Sequence, residues 1–147
     1  MLNAEAKRVR FVSLLRAQLG QPYLWGGEGP MGFDCSGLII YCLHGCGCKI
    51  NDRNAQDIYY LFNECEVESV TMPGQLLFYG ASKKAISHVM ICLTVWEDGM
   101  YVIAGARGGT SKTVSTVEAW NSGALVDVCR GDYWKNKMVA IVDPFKF

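Results

Sequence analysis

Cys35 is the residue whose neighbours set it apart for chemistry. It stands in Gly32-Phe33-Asp34-Cys35-Ser36-Gly37-Leu38, between an aromatic Gly/Pro-rich loop and the apolar run Leu38-Ile39-Ile40-Tyr41-Cys42-Leu43. That order predicts a loop that delivers a cysteine to the first turn of a buried helix. Asp34 is a natural N-cap, because its carboxylate can accept from the free N–H groups of that turn. The partial positive charge of a helix N-terminus favours a thiolate over a thiol, and the chemistry expected of a thiolate is nucleophilic attack. Such a nucleophile needs a base, normally histidine, brought near in space rather than in sequence. The chain has two histidines. His44 follows Cys35 on the same helix, about 13 Å further along by helix rise, and reads as a cap or surface residue at the helix end. His88 opens the strand-like run Ile86-Ser87-His88-Val89-Met90-Ile91. A strand histidine is as readily a satisfied structural residue. Set against a cysteine at a helix tip, it could equally meet the sulfur across a helix–sheet boundary.

The elements that must hold these two residues can be read along the chain. Apolar residues at helical spacing from Asn3 to Leu19 (Ala6, Val9, Val12, Leu15) predict a helix capped by Asn3 and ended by Gly20. The loop 20–34 carries five glycines with Pro22 and Pro30 and shows no period. The cysteine helix should end near Gly45, with Gly45-Cys46-Gly47-Cys48 as a turn. Asn51-Asp52-Arg53-Asn54 offers caps for a third helix with Ala55, Ile58, Tyr59, Leu61 and Phe62. Beyond residue 66 the pattern turns β-branched and alternating, predicting strands at Gln75–Tyr79, His88–Trp96, Met100–Ala106, Thr113–Val117, Leu125–Cys129 and Met138–Val142. Glu97-Asp98-Gly99 marks a hairpin. Helices followed by a strand meander describe an α+β domain, with N-terminal helices packed on a five- to six-stranded antiparallel sheet. With no repeat or linker, residues 1–147 read as a single domain.

Composition removes several functional classes. Fourteen basic residues balance fourteen acidic ones, so no global field points to nucleic acid or a membrane surface. Lys7, Arg8, Arg10 and Arg16 read as the solvated face of the first helix. Seven cysteines without a Cys-x-x-Cys pair, and only two histidines, give a metal site little support. Their number suits free thiols in a reducing compartment. The run Phe11-Val12-Ser13-Leu14-Leu15 is too short for a secretory or membrane segment, so a cytoplasmic protein and a monomer are expected. Gly105-Ala106-Arg107-Gly108-Gly109-Thr110-Ser111 has no phosphate-loop order and reads as a loop beside the site.

Five segments, in order, carry a family resemblance. Pro22-Tyr23-Leu24-Trp25-Gly26-Gly27 with Asp34-Cys35-Ser36-Gly37, then Arg53-Asn54-Ala55-Gln56, Pro73-Gly74-Gln75-Leu76 and Ser87-His88-Val89-Met90-Ile91 resemble the signature of the NlpC-type cell-wall cysteine peptidases, papain-like in fold. The resemblance runs from about residue 6 to 110. It implies Cys35 as nucleophile and His88 as base, then as acid to the leaving amine. It also implies the Cys35 N–H in an oxyanion hole, where one donor is worth roughly 3 kcal/mol, with Tyr23 reaching the same region. Asp34, Ser36, Ser87, Trp25 and Arg53 resemble substrate-lining residues. The implied reaction hydrolyses peptidoglycan stem peptides, at the γ-D-Glu to diamino-acid bond, through a Cys35 thioester and without cofactor or metal. A phage-encoded lysis or tail hydrolase, or an injected effector, would need no export signal.

Two positions depart from the family's pattern. The third catalytic position, usually polar, aligns with Ile103, which cannot hydrogen-bond an imidazole. Pairing about Glu97-Asp98-Gly99 puts Ile103, Gly105 and Arg107 on the face of His88, and Arg107 would repel an imidazolium. A backbone carbonyl, a water or a tail residue such as Glu118 would then have to orient the ring. Met90 replaces the usual glycine and is expected to narrow the groove. These departures keep two other readings open: an amidase or acyltransferase on another amide, and a catalytically weak wall-binding or particle-assembly domain.

Overall fold

The computed structural model describes residues 2–29 and 31–146, so Pro30 of the glycine-rich loop lies outside the described residues. Helix α1 (Ala4–Ala17) starts where Asn3 Oδ1 accepts from the Ala6 N–H at 2.8 Å. Its buried residues are Arg8, Phe11 and Leu15. The helix is therefore turned from the expected face: Val9 is 58% exposed, and Arg8 leaves the solvated basic face for the interior. The cause lies at the far end of the chain. Arg8 Nη2 donates to both oxygens of Asp143 at 3.0 Å, Nη1 donates to the Pro73 carbonyl, and Gln75 Nε2 donates to Asp143 at 3.2 Å. A buried charge persists when it is paired and hydrogen-bonded in this way.

Helix α2 (Cys35–Gly45) is the apolar centre, with Leu38, Ile39, Ile40, Cys42 and Leu43 all buried. Gly37 is the point of closest approach between α2 and the loop before it, since a Cβ there would collide with the Gly27 carbonyl. Helix α3 (Ala55–Phe62) is capped by Asn54, which accepts from the Asp57 N–H. No helix among the described residues is long and apolar enough to cross a membrane.

The sheet has five antiparallel strands, β1 (Leu76–Ser82), β2 (Ala85–Val95), β3 (Tyr101–Arg107), β4 (Leu125–Arg130) and β5 (Met138–Val142), in the order β4-β3-β2-β1-β5. Both faces are buried. Leu76, Phe78, Val89, Ile91 and Ala104 meet the helices, whereas Leu77, Tyr79, Met90, Cys92 and Ile103 form a second cluster. With the helices on one face, this is the papain-like α+β architecture.

The strand expected at Thr113–Val117 is instead the lead-in to a helix, α4 (Thr116–Ser122). Ser115 Oγ accepts from the Glu118 N–H, Glu118 Oε2 accepts from the Val114 N–H, and Gly123 closes the helix at φ 71°. This reciprocal capping outweighs the β-branched run. It also occupies Glu118, which caps α4 rather than reaching His88.

Candidate active site

The loop before α2 is drawn into shape by Asp34. Its Oδ1 accepts from the Gly37 N–H at 2.7 Å and from Ser36 Oγ at 3.2 Å, and its Oδ2 accepts from the Gly26 N–H at 3.0 Å. One carboxylate thus caps α2 and ties the Trp-Gly-Gly turn to it. Behind the turn, Tyr23 is buried with its ring against Gly109, where any Cβ would strike the ring. From the sheet side, Gln56 of α3 grips the turn that launches β2: its Oε1 accepts from the Ile86 N–H and its Nε2 donates to the Lys83 carbonyl, each at 2.8 Å. Residues 86–88 are placed by that clamp and by the pairing of His88 with Tyr79 in β1.

The two sides enclose a groove of about 670 Å³. Cys35, His88, Tyr23, Asp34, Ser36, Ser87, Trp25 and Arg53 all line it. The structure therefore brings together eight of the residues that the sequence singled out. His44 lies elsewhere, with its Nε2 2.6 Å from the Ile50 carbonyl at the end of α2. Ile103 lies elsewhere too: it pairs with Cys92 and is fully buried in the second cluster. Met90 does not narrow the groove. It is fully buried, and its sulfur fills the space beside Gly105, where a Cβ would sit 2.6 Å away.

The electrostatics differ from what the helix terminus alone suggests. Burial first and the Asp34 carboxylate second push the Cys35 thiol up to about 11, although the N–H groups of Val89, Ser36 and Cys35 itself pull it down. Desolvation and one nearby anion outweigh three backbone donors. Burial first and Arg107 second hold His88 down at about 4. Both groups are therefore neutral near pH 7, and no hydrogen bond joins them. Alternation along β2 sends Val89 toward the helices and His88, with Met90, to the other side of the strand. Val89, whose N–H helps pull the thiol down, is one residue from the imidazole.

Three further residues shape the site. Tyr133 and Trp134, from the turn between β4 and β5, enclose the imidazole with Tyr79; ring centroids lie 5.7 to 6.4 Å from His88. An aromatic pair inside a polar turn was the only signal of this wall in the sequence. Arg107, at the end of β3, lines the groove beside His88 and donates to Asp127 Oδ2 at 3.1 Å. His88 Nε2 is buried without a partner among the described residues. Nor do three or more His, Cys, Asp or Glu side chains converge there as metal ligands.

Comparison with known proteins places the sequence in a family. The sequence pattern described as the NlpC/P60 family matches residues 20–143. The chain is 29% identical over 138 residues to a probable endopeptidase p60 of Listeria grayi, covering 94% of this chain and 21% of that protein. It is 31% identical over 124 residues to the bifunctional muramidase/DL-endopeptidase CwlT of Bacillus subtilis, covering 82% of this chain and 32% of that one. It thus spans a third or less of the length of these relatives. Among solved structures, the peptidoglycan hydrolase RipB of Mycobacterium tuberculosis superposes with a TM-score of 0.72 at 24% identity, over 99% of this chain and 68% of that one. A P60 domain from an antigen of M. avium subspecies paratuberculosis superposes equally well, with a TM-score of 0.72, 24% identity and 98% of both chains covered. The pattern match over most of the length, on this fold, means that the chain belongs to the NlpC/P60 family.

Proposed function

We propose that this chain is a cysteine peptidase that hydrolyses peptidoglycan stem peptides, at the γ-D-Glu to diamino-acid bond. The observation that carries the reading is one groove holding a thiol at a helix N-terminus and an imidazole on the facing strand. With both groups neutral at rest, His88 acts as general base at the moment of attack. The Cys35 proton passes to His88 as the C–S bond forms, and the N–H donors at the helix tip stabilise the oxyanion. The amine leaves with the proton returned by His88. Water then attacks the thioester, His88 takes its proton, and Cys35 is regenerated as the acid product departs.

Asp34, Ser36, Ser87, Trp25 and Arg53 are assigned to the peptide, Tyr23 to the oxyanion region, and residues 1–147 to one catalytic domain. Relatives named as endopeptidases and as a peptidoglycan hydrolase support the wall as substrate. A second reading, a wall-binding domain with little turnover, draws on the neutral, unjoined Cys35 and His88.

The test is incubation of the protein with purified sacculi under reducing conditions, with Cys35→Ala as control and mass analysis of released fragments. Fragments ending in γ-D-Glu are expected from the unmodified protein alone. Binding to sacculi without release would favour the second reading, and release of other termini would move the cleaved bond.

A further inference from the structure

Arg107 stands where the imidazole needs an acceptor, and a guanidinium has none to offer. In the β2–β3 register, Ile91 faces Ala104 and Cys92 faces Ile103. Further along, the Met90 sulfur fills the space beside Gly105, and Arg107, two residues on along β3, lines the groove with His88. A guanidinium has five N–H donors and no acceptor. Beside the base it can neither accept the imidazole's proton nor steady an imidazolium.

It is nevertheless held there. Nη2 donates to Asp127 on the neighbouring strand β4, and the guanidinium carbon lies 5.5 Å from the centre of the Tyr133 ring. These contacts leave most of its donors unused. Nε is buried without an acceptor, and Nη1 has none among the described residues. The side chain is 34% exposed and lines the groove. A donor buried without a partner is unfavourable, and an anion reaching the guanidinium relieves that. The other charges of the groove stand on the helix side: Asp34, with its oxygens engaged by backbone and Ser36, and the neighbours Asp52 and Arg53.

We propose that Arg107 is a specificity-determining residue that receives a carboxylate of the peptide lying in the groove, beside Cys35 and His88. The identity of that peptide rests on the function proposed above; the anion site itself does not. The ligand class is a peptide that turns one free carboxylate toward Arg107. Binding also acts on the base, because a carboxylate at Arg107 offsets the cation beside His88. Of the remaining titratable groups, Tyr79 of β1 and Tyr133 after β4 pack on the imidazole, Cys35 of α2 lines the same groove, and Asp127 of β4 faces Arg107.

The experiment measures binding and cleavage separately, using the peptide L-Ala-γ-D-Glu-diaminopimelic acid and a set in which each carboxylate in turn is an amide. Calorimetry on Cys35→Ala protein should show one amide binding on the order of 100-fold more weakly than the acid. In Cys35→Ala/Arg107→Gln that difference should vanish, and with Arg107→Lys it should be partly kept, since lysine retains the charge but not the planar fork. Equal affinity for the acid and every amide, binding of none of them, or the same amide penalty in the Arg107→Gln protein would overturn the proposal. Cleavage of the same peptides by protein retaining Cys35 is scored apart. Discriminating binding without cleavage would leave the carboxylate site standing and remove the peptidase reading.

Discussion

The neutral resting state of Cys35 makes a quantitative prediction about its reactivity. A thiol at about 11 rather than 9.0 holds about one molecule in ten thousand as thiolate at pH 7, against about one in a hundred for an unperturbed thiol. That difference corresponds to roughly 3 kcal/mol against ionisation. Iodoacetamide should therefore alkylate Cys35 in the free protein up to about 100-fold more slowly at pH 7 than it alkylates an exposed model thiol. The rate should rise about tenfold per pH unit from 7 to 10. The assay is timed alkylation followed by mass analysis of the peptide containing Cys35, with Cys35→Ala protein marking the labelling of the other six cysteines. Asp34→Asn removes the second cause of the shift while keeping an oxygen to cap α2, so its labelling at pH 7 should be faster than that of the unmodified protein. A rate that is high and flat from pH 5 to 8 would mean a preformed thiolate–imidazolium pair, and the account of burial outweighing three N–H donors would be wrong.

Three other predictions rest on different contacts. His88 is held at about 4 in the folded chain against 6.5 when unfolded, so the unfolded state binds the extra proton between those values. Stability attributable to it is complete above pH 6.5 and falls by up to about 3 kcal/mol as pH drops to 4; urea midpoints of unmodified and His88→Gln protein should diverge over that window and nowhere else. Replacing Asp143 by alanine leaves the Arg8 guanidinium buried without its anion and should cost about 3–5 kcal/mol, read as a fall in the urea midpoint; a change under 1 kcal/mol would mean that the pair is solvated. Gly37→Ala forces the Gly27 carbonyl away from α2, so it should lower both the melting temperature and Cys35-dependent release from sacculi, and an unchanged melting curve would show that the loop yields freely.

Much of the helix side of the groove was legible because its signals are local. Asp34 before an apolar run specifies both the cap and the direction of Cys35, and the structure keeps α2 at Cys35–Gly45. The sheet side was legible only in part. Strand parity put Ile103, Gly105 and Arg107 on the face of His88, as the observed pairing of Cys92 with Ile103 requires. Which of them comes nearest the imidazole depends on the length of the β2–β3 hairpin, and of the three only Arg107 lines the groove with His88. The Tyr133–Trp134 wall depends on a turn that returns the chain from β4 to β5, at the other edge of the sheet, which no local pattern encodes. Arg8 shows the same limit: its burial follows from a carboxylate 135 residues away.

That ion pair between the first helix and Asp143, just beyond the last strand, has a topological consequence. The two ends of this fold are tied at one shared point, so the groove is borne on a closed loop of chain. A unit so shaped can be spliced into a larger polypeptide without parting the segments on either side of it.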